Sequence, residues 1–245
     1  MNRCGIFDSG IGGLSVASEI LKSKLFDEII YFGDTARVPY GNKNESTIVR
    51  YSLEALEFLK NFDIDFLVVA CNSASSVAIE ELQKEAKFPV VGVIEAGVKA
   101  LNADKNSEIL LVGTRRTINS AKYQKMLKSK GYENILSIST PLFVPLVEEN
   151  ITEGKIVDEV FDLYFQNIDK SEIDYIILGC THYPFLAKTF NKHFPNAKLI
   201  HSGDAIVSML KNEYNLKEKQ KTNIKLFASD NPEELRSKAR KWLNS

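Results

Sequence analysis

Two cysteines stand where apolar runs give way to polar ones: FLVVACNS at 66–73 places Cys71 at such a point, and YIILGCTH at 175–182 places Cys180 at another. The order is the same in both: an apolar run, a small residue, the cysteine, then a polar pair. A thiol in that position faces the N-terminus of the helix that follows, where unpaired N–H groups and the helix dipole favour a thiolate and lower its pKa from about 8.5 into a range of about 3.5 to 7.5. Both sulfurs are therefore expected to serve as bases. They lie in different halves of the chain, so they can face one another across a cleft. A lone strand-end cysteine is read as a small buried hydrophobe, and Cys4 takes that reading. The doubled pattern at Cys71 and Cys180 argues for chemistry.

In open α/β sheets ligands bind outside the carboxyl ends of the strands, so the residues after each apolar run carry the information. The first run is followed by DSGIGG at 8–13, and the second by Gly33 and Asp34 and then PYG at 39–41. Later runs end in GTRRT at 113–117 and HSGD at 201–204. Gly10, Gly12 and Gly13 match neither GxGxxG nor GxxxxGK[ST], and Asp8 would set a carboxylate beside a phosphate. A small carboxylate, held by backbone N–H groups and the hydroxyls of Ser9, Ser73 and Thr181, suits the same glycines better. Asp8 then has three open uses: partner to a cation such as a substrate ammonium, a charge that tunes Cys71, or a plain helix cap. His182, two residues after Cys180, is read as a general acid or an orienting group, with a structural core histidine as the alternative. Cys71, Cys180, His182 and Asp8 are zinc-ligand types, but no Cys-x-x-Cys or His-x-x-x-His pair supports a metal, and none is expected. A Cys180–His182 nucleophile and base is the rival reading, that of a hydrolase. No lysine follows a strand end in the glycine-rich turns to hold PLP, and no cofactor is expected.

The elements that must position these residues are short apolar runs at 4–7, 29–32, 66–70, 90–94, 109–112, 135–138, 175–178, 199–200 and 224–227. Runs without polar alternation predict strands covered on both faces, as in a parallel sheet. Between them, Ile48, Tyr51, Ala55, Leu59 and Phe62 recur at helical spacing and align on one face. Asn231 and Pro232 introduce a last helix over 233–243, with Asp230 or Asn231 as its cap. The alternation predicts a doubly wound α/β fold with mainly parallel sheets, in two pseudo-symmetric lobes with the active site in the cleft between them. NADKNS at 102–107 and YNLKEKQKT at 214–222 are read as crossings. Residues 1–97 with 208–245 then form the lobe of Asp8 and Cys71, and 98–207 that of Cys180 and His182.

Thirty-one basic residues against 32 acidic ones leave a net charge of −1, so no overall positive field exists to hold a nucleic acid, and none is expected as a partner. The segment 1–8 does not have the form of a signal peptide, and no apolar run approaches the roughly 20 residues needed to cross a bilayer. A cytoplasmic protein with three reduced thiols is expected, not a membrane protein or a disulfide framework.

At these residues the sequence resembles the glutamate racemases, over essentially its whole length: DSGIGG at 8–13, PYG at 39–41, ACNSAS at 70–75, PLFVPLVE at 141–148 and GCTHYP at 179–184. Aspartate racemases, hydantoin racemases and maleate isomerases share the paired cysteines, but the Asp-Ser-Gly opening and the Pro-Tyr-Gly turn are similar to the glutamate enzymes. The resemblance implies cofactor-independent interconversion of L- and D-glutamate, supplying D-glutamate for peptidoglycan, by a homodimer. It implies proton transfer by Cys71 and Cys180, assisted by Asp8, Asp34, Glu148 and His182, the last two on the Cys180 side. It implies substrate contacts from Asp8, Ser9, Pro39, Tyr40, Gly41, Asn72, Ser73, Thr181 and His182, and from a stretch that includes Thr114 and Thr117. Ser73 departs from the usual threonine; the hydroxyl is kept and a methyl contact is lost.

Overall fold

The computed structural model describes residues 2–214 and 216–243. Asn215, within the lysine-rich crossing, lies outside them. In chain order the elements are β1 (Arg3–Asp8), α1 (Leu14–Ser23), β2 (Glu28–Gly33), α2 (Glu45–Lys60), β3 (Phe66–Val69), α3 (Asn72–Val77), α4 (Ile79–Glu85), β4 (Val90–Gly92) and α5 (Val93–Ala100). They continue with β5 (Ile109–Gly113), α6 (Arg115–Asn119), α7 (Lys122–Ser129), β6 (Ile135–Ser139), α8 (Phe143–Glu148), α9 (Lys155–Phe165), β7 (Tyr175–Gly179) and α10 (Ala187–His193). The last are β8 (Lys198–Ile200), α11 (Ser202–Glu213), β9 (Asn223–Ala228) and α12 (Pro232–Trp242).

Two all-parallel sheets result, one in the order β4-β3-β1-β2-β9 and the other β6-β5-β7-β8. Side chains alternate between sheet faces, and both faces are covered. Phe7, Leu67 and Val69 pack on one side of the first sheet against Ala55, Leu56 and Leu59 of α2. Ile109, Leu111 and Ile177 pack on the outer side of the second against Val98 of α5 and Tyr123 and Leu127 of α7. The remaining faces share one continuous core: Cys4, Ile6, Val68 and Ala70 from the first sheet, Leu110, Val112, Ile176 and Leu178 from the second. Cys4 is fully buried there, with its thiol pKa pushed up by burial.

Local chemistry sets the helix ends. Asn44 caps α2 by accepting the Thr47 N–H at 2.9 Å, and Asn231 caps α12 by accepting the Glu234 N–H, with Pro232 in the first turn. The strand expected at 90–94 is two residues shorter than its apolar run, and that at 66–70 one residue shorter. The sheet ends at Gly92, and Val93 and Ile94 open α5 with their side chains buried. A short apolar run has no periodicity with which to separate a strand from the first turn of a buried helix. We propose the two sheets as the centres of the two lobes; breaks after residues 97 and 207 fall inside α5 and α11. Among the described residues no helix is long and apolar enough to cross a membrane.

Candidate active site

The turn after β1 is built around its own carboxylate. Asp8 is fully buried; its Oδ2 accepts the Gly10 N–H at 2.9 Å and its Oδ1 accepts the Thr181 hydroxyl at 3.3 Å. The Gly13 N–H also bonds to it, which sets the carboxylate at the N-terminus of α1. These glycine N–H groups are spent on Asp8 rather than left open for a ligand carboxylate, as the sequence had suggested. The glycines are there for close approach. A Cβ on Gly13 would lie 2.4 Å from the Asp8 Cβ, and one on Gly12 would lie 2.5 Å from the His182 ring and 2.6 Å from the Thr181 hydroxyl. Burial raises the Asp8 pKa; the His182 charge, these N–H groups and Thr181 pull it back in part.

Cys71 follows β3 and occupies the cap position of α3. Its thiol donates to the Ser9 hydroxyl at 3.4 Å. Contrary to the expectation from the helix N-terminus, its pKa is pushed up to about 12, first by burial and then by the Asp8 charge, against the Ser9 hydrogen bond. α3 is only six residues long, and its dipole does not offset removal of the sulfur from water. Cys71 rests as a neutral thiol.

Cys180 follows β7 and meets a turn, not the start of an α-helix: Tyr183 N–H bonds to the Cys180 carbonyl, and a 3-10 segment, Tyr183–Leu186, precedes α10. Its partner is side-chain chemistry. The His182 Nδ1 lies 3.8 Å from the Cys180 sulfur and the His182 Nε2 lies 3.1 Å from Glu148 Oε1. Burial works against charge on His182, yet the bonds to Cys180 and Glu148 outweigh it and push its pKa up to about 10. Burial alone would raise the Glu148 carboxyl, but His182 and Lys238 bring it below its ordinary value. The imidazole is thus an imidazolium at neutral pH, placed between a carboxylate and the sulfur. The sign of its pH dependence follows: the cation is present below about pH 10 and lost above it. A Glu148→Gln variant is expected to lower the His182 pKa, so the alkaline fall in kcat/KM measured across a pH series moves toward neutrality.

Both sulfurs open into one small cavity, lined also by Ser9, Val38, Pro39, Tyr40, Gly41, Asn72, Ser73, Thr114, Val144, Glu148, Thr181 and His182. Tyr40 donates to Asp34 Oδ2 at 2.5 Å, and the same carboxylate accepts from Arg37 Nε at 2.7 Å and from Ser229 at 2.8 Å. Burial, then Asp34, keeps the Tyr40 phenol protonated. Ser73 and Thr114 hydroxyls are 2.9 Å apart, and Thr114 reaches Thr117 at 3.0 Å, so the second sheet's α6 cap closes on α3. Arg116 adds a clamp, donating from Nε and Nη2 to the Lys43 carbonyl at 3.0 and 2.8 Å.

Twelve of the residues expected from the sequence line this cavity: Ser9, Pro39, Tyr40, Gly41, Cys71, Asn72, Ser73, Thr114, Glu148, Cys180, Thr181 and His182. Asp8, Asp34 and Thr117 are fully buried behind its wall and reach it through Thr181, Tyr40 and Thr114. Thr181 turns its hydroxyl to Asp8, so that donor is not free for a ligand. Val38 and Val144 were not singled out in the sequence, although each adjoins or lies in a motif, PYG and PLFVPLVE. Among the described residues no group of three or more His, Cys, Asp and Glu converges as metal ligands would.

A family model described as Asp/Glu/Hydantoin racemase matches residues 18–210. The glutamate racemase of Nitratiruptor sp. is 56% identical over 246 residues, 98% of this chain and 96% of that one. The solved glutamate racemase from Campylobacter jejuni superposes with a TM-score of 0.96 at 50% identity, covering 99% of this chain and 98% of that one. The glutamate racemase from Francisella tularensis, solved in complex with D-glutamate, gives a TM-score of 0.89 at 32% identity, covering 100% of this chain and 94% of that one.

Proposed function

The chain belongs to the glutamate racemases of the Asp/Glu/Hydantoin racemase family, and on that premise we propose that it interconverts L- and D-glutamate without a cofactor by proton transfer at two thiols, Cys71 and Cys180. The observation that carries this reading is a single cavity with a sulfur from each sheet and different polar company at each. Inversion needs a proton removed from one face of the α-carbon and another delivered to the opposite face. A thiolate takes the α-proton and becomes a thiol; the facing thiol gives its proton to the other face of the carbanion and becomes a thiolate. The reverse reaction exchanges the roles.

The two sulfurs are not equivalent at rest. Cys71 keeps its proton, while the His182 imidazolium offers a positive partner to a sulfur anion at Cys180. Burial that disfavours the Cys71 thiolate also makes it a stronger base once formed, which suits a weakly acidic α-proton. Negative charge that develops on the substrate carboxylate meets the Asn72 amide and the Ser73 hydroxyl, donors held in place before the reaction. Asp8 holds the turn and Thr181; Asp34 holds Tyr40. The enzyme supplies D-glutamate for peptidoglycan in the cytoplasm, as a homodimer. Purified protein given L-glutamate or L-aspartate without added cofactor, and followed by chiral chromatography, tests the reading. Racemised glutamate and unchanged aspartate are expected; no inversion of glutamate would overturn it.

A further inference from the structure

Asn72 is 2% exposed and its amide is only half used: Oδ1 accepts the Tyr123 hydroxyl at 2.9 Å, while Nδ2 has no hydrogen-bond partner. A buried amide N–H left unpaired costs on the order of 1 to 3 kcal/mol, a cost that a ligand acceptor removes. Asn72 lines the cavity and directly follows Cys71, so the acceptor it faces belongs to the carbon that exchanges its proton. The direction of the amide is set from the other sheet. Tyr123 is fully buried on α7, and its phenol meets the Ser202 hydroxyl at the start of α11, which donates its proton to the Leu178 carbonyl at 3.5 Å. The phenol gives its one proton to the Asn72 oxygen, the amide's acceptor end. Gly97 of α5 makes room for this arrangement: a Cβ there would lie 3.2 Å from the Tyr123 hydroxyl oxygen.

We propose that Tyr123 is a positioning residue whose hydroxyl holds the Asn72 amide with its NH₂ turned to the substrate α-carboxylate. The proposal rests on the racemase reading above. Loss of the hydroxyl frees the amide to turn its oxygen toward a carboxylate, which repels it. The test is a double-mutant cycle of Tyr123→Phe and Asn72→Ala, read as kcat/KM for both glutamate enantiomers and as glutamate affinity by calorimetry, with Tm alongside. Tyr123→Phe alone is expected to lower kcat/KM at least tenfold and to weaken glutamate binding. In the Asn72→Ala background it is expected to add less than a twofold loss, which a purely structural role would not produce. Gly97→Ala, which pushes on the same hydroxyl, is expected to weaken glutamate binding in the same sense and supplies the result if Tyr123→Phe does not fold. Losses that multiply in the double variant, or single variants within twofold of wild type, overturn the proposal. Wild-type protein that neither binds nor turns over glutamate overturns the racemase reading and this one together; wild-type turnover with multiplying losses overturns this one alone.

Discussion

Cys71→Ala and Cys180→Ala are each expected to lower kcat/KM for glutamate racemisation by about 10⁴-fold or more, because in the proposed mechanism each leaves one face of the α-carbon without a proton carrier. Nothing else in the cavity can substitute. Tyr40 holds its proton against Asp34, His182 and Glu148 are paired with one another, and the remaining polar groups are hydroxyls and the Asn72 amide. The two enantiomers of glutamate have equal free energies, so kcat/KM must fall by the same factor in both directions whichever cysteine is removed. The fold survives: both residues are small and buried, and truncation to alanine is expected to cost about 1 kcal/mol, a shift of a few degrees in Tm. Chiral chromatography at matched protein concentration, with thermal melts of each variant, checks both parts. Activity within tenfold of wild type in either variant contradicts the assignment.

His182→Gln is expected to lower kcat/KM by about 10²-fold or more by removing the cation between Cys180 and Glu148. The glutamine retains a polar side chain of similar reach, so the loss reports charge more than volume. Equal energies again require the same fall in kcat/KM for both enantiomers. The values of kcat need not fall equally, because the cation serves the Cys180 side alone. Wild-type activity is expected to decline as the pH rises through about 10, where His182 loses its proton, and the variant is expected to lack that limb. A variant within threefold of wild type that keeps the alkaline limb contradicts the role.

Strands were legible because both sheets are covered on both faces, which leaves continuous runs such as Phe66–Val69 and Ile109–Gly113 with no polar interruption. The same lack of pattern hid the change from strand to helix at Val93. The cavity wall was legible because most of it consists of residues that directly follow strands. What a linear sequence does not carry is the direction of a side chain or its partner across the fold. Asp8 ends β1, Asp34 follows β2 and Thr117 lies on α6 just after β5, yet all three point into the protein behind the wall. Tyr123 lies 51 residues from Asn72 on another sheet's helix, with no motif around it. The Cys71 pKa departs from the sequence expectation for a physical reason: a helix N-terminus is visible in a sequence, but the burial that outweighs it is a property of the folded core.

In the proposed mechanism two different sulfurs handle the departing and arriving protons. This is tested most directly by racemisation in D₂O, stopped at low conversion, with both enantiomers separated and their α-positions analysed by mass spectrometry. Product formed from either enantiomer is expected to carry deuterium at the α-carbon while unreacted substrate keeps its proton, because the delivering thiol was charged from solvent. Product that retains the original proton would mean that one group removed and returned it, and would rule out transfer by two different sulfurs.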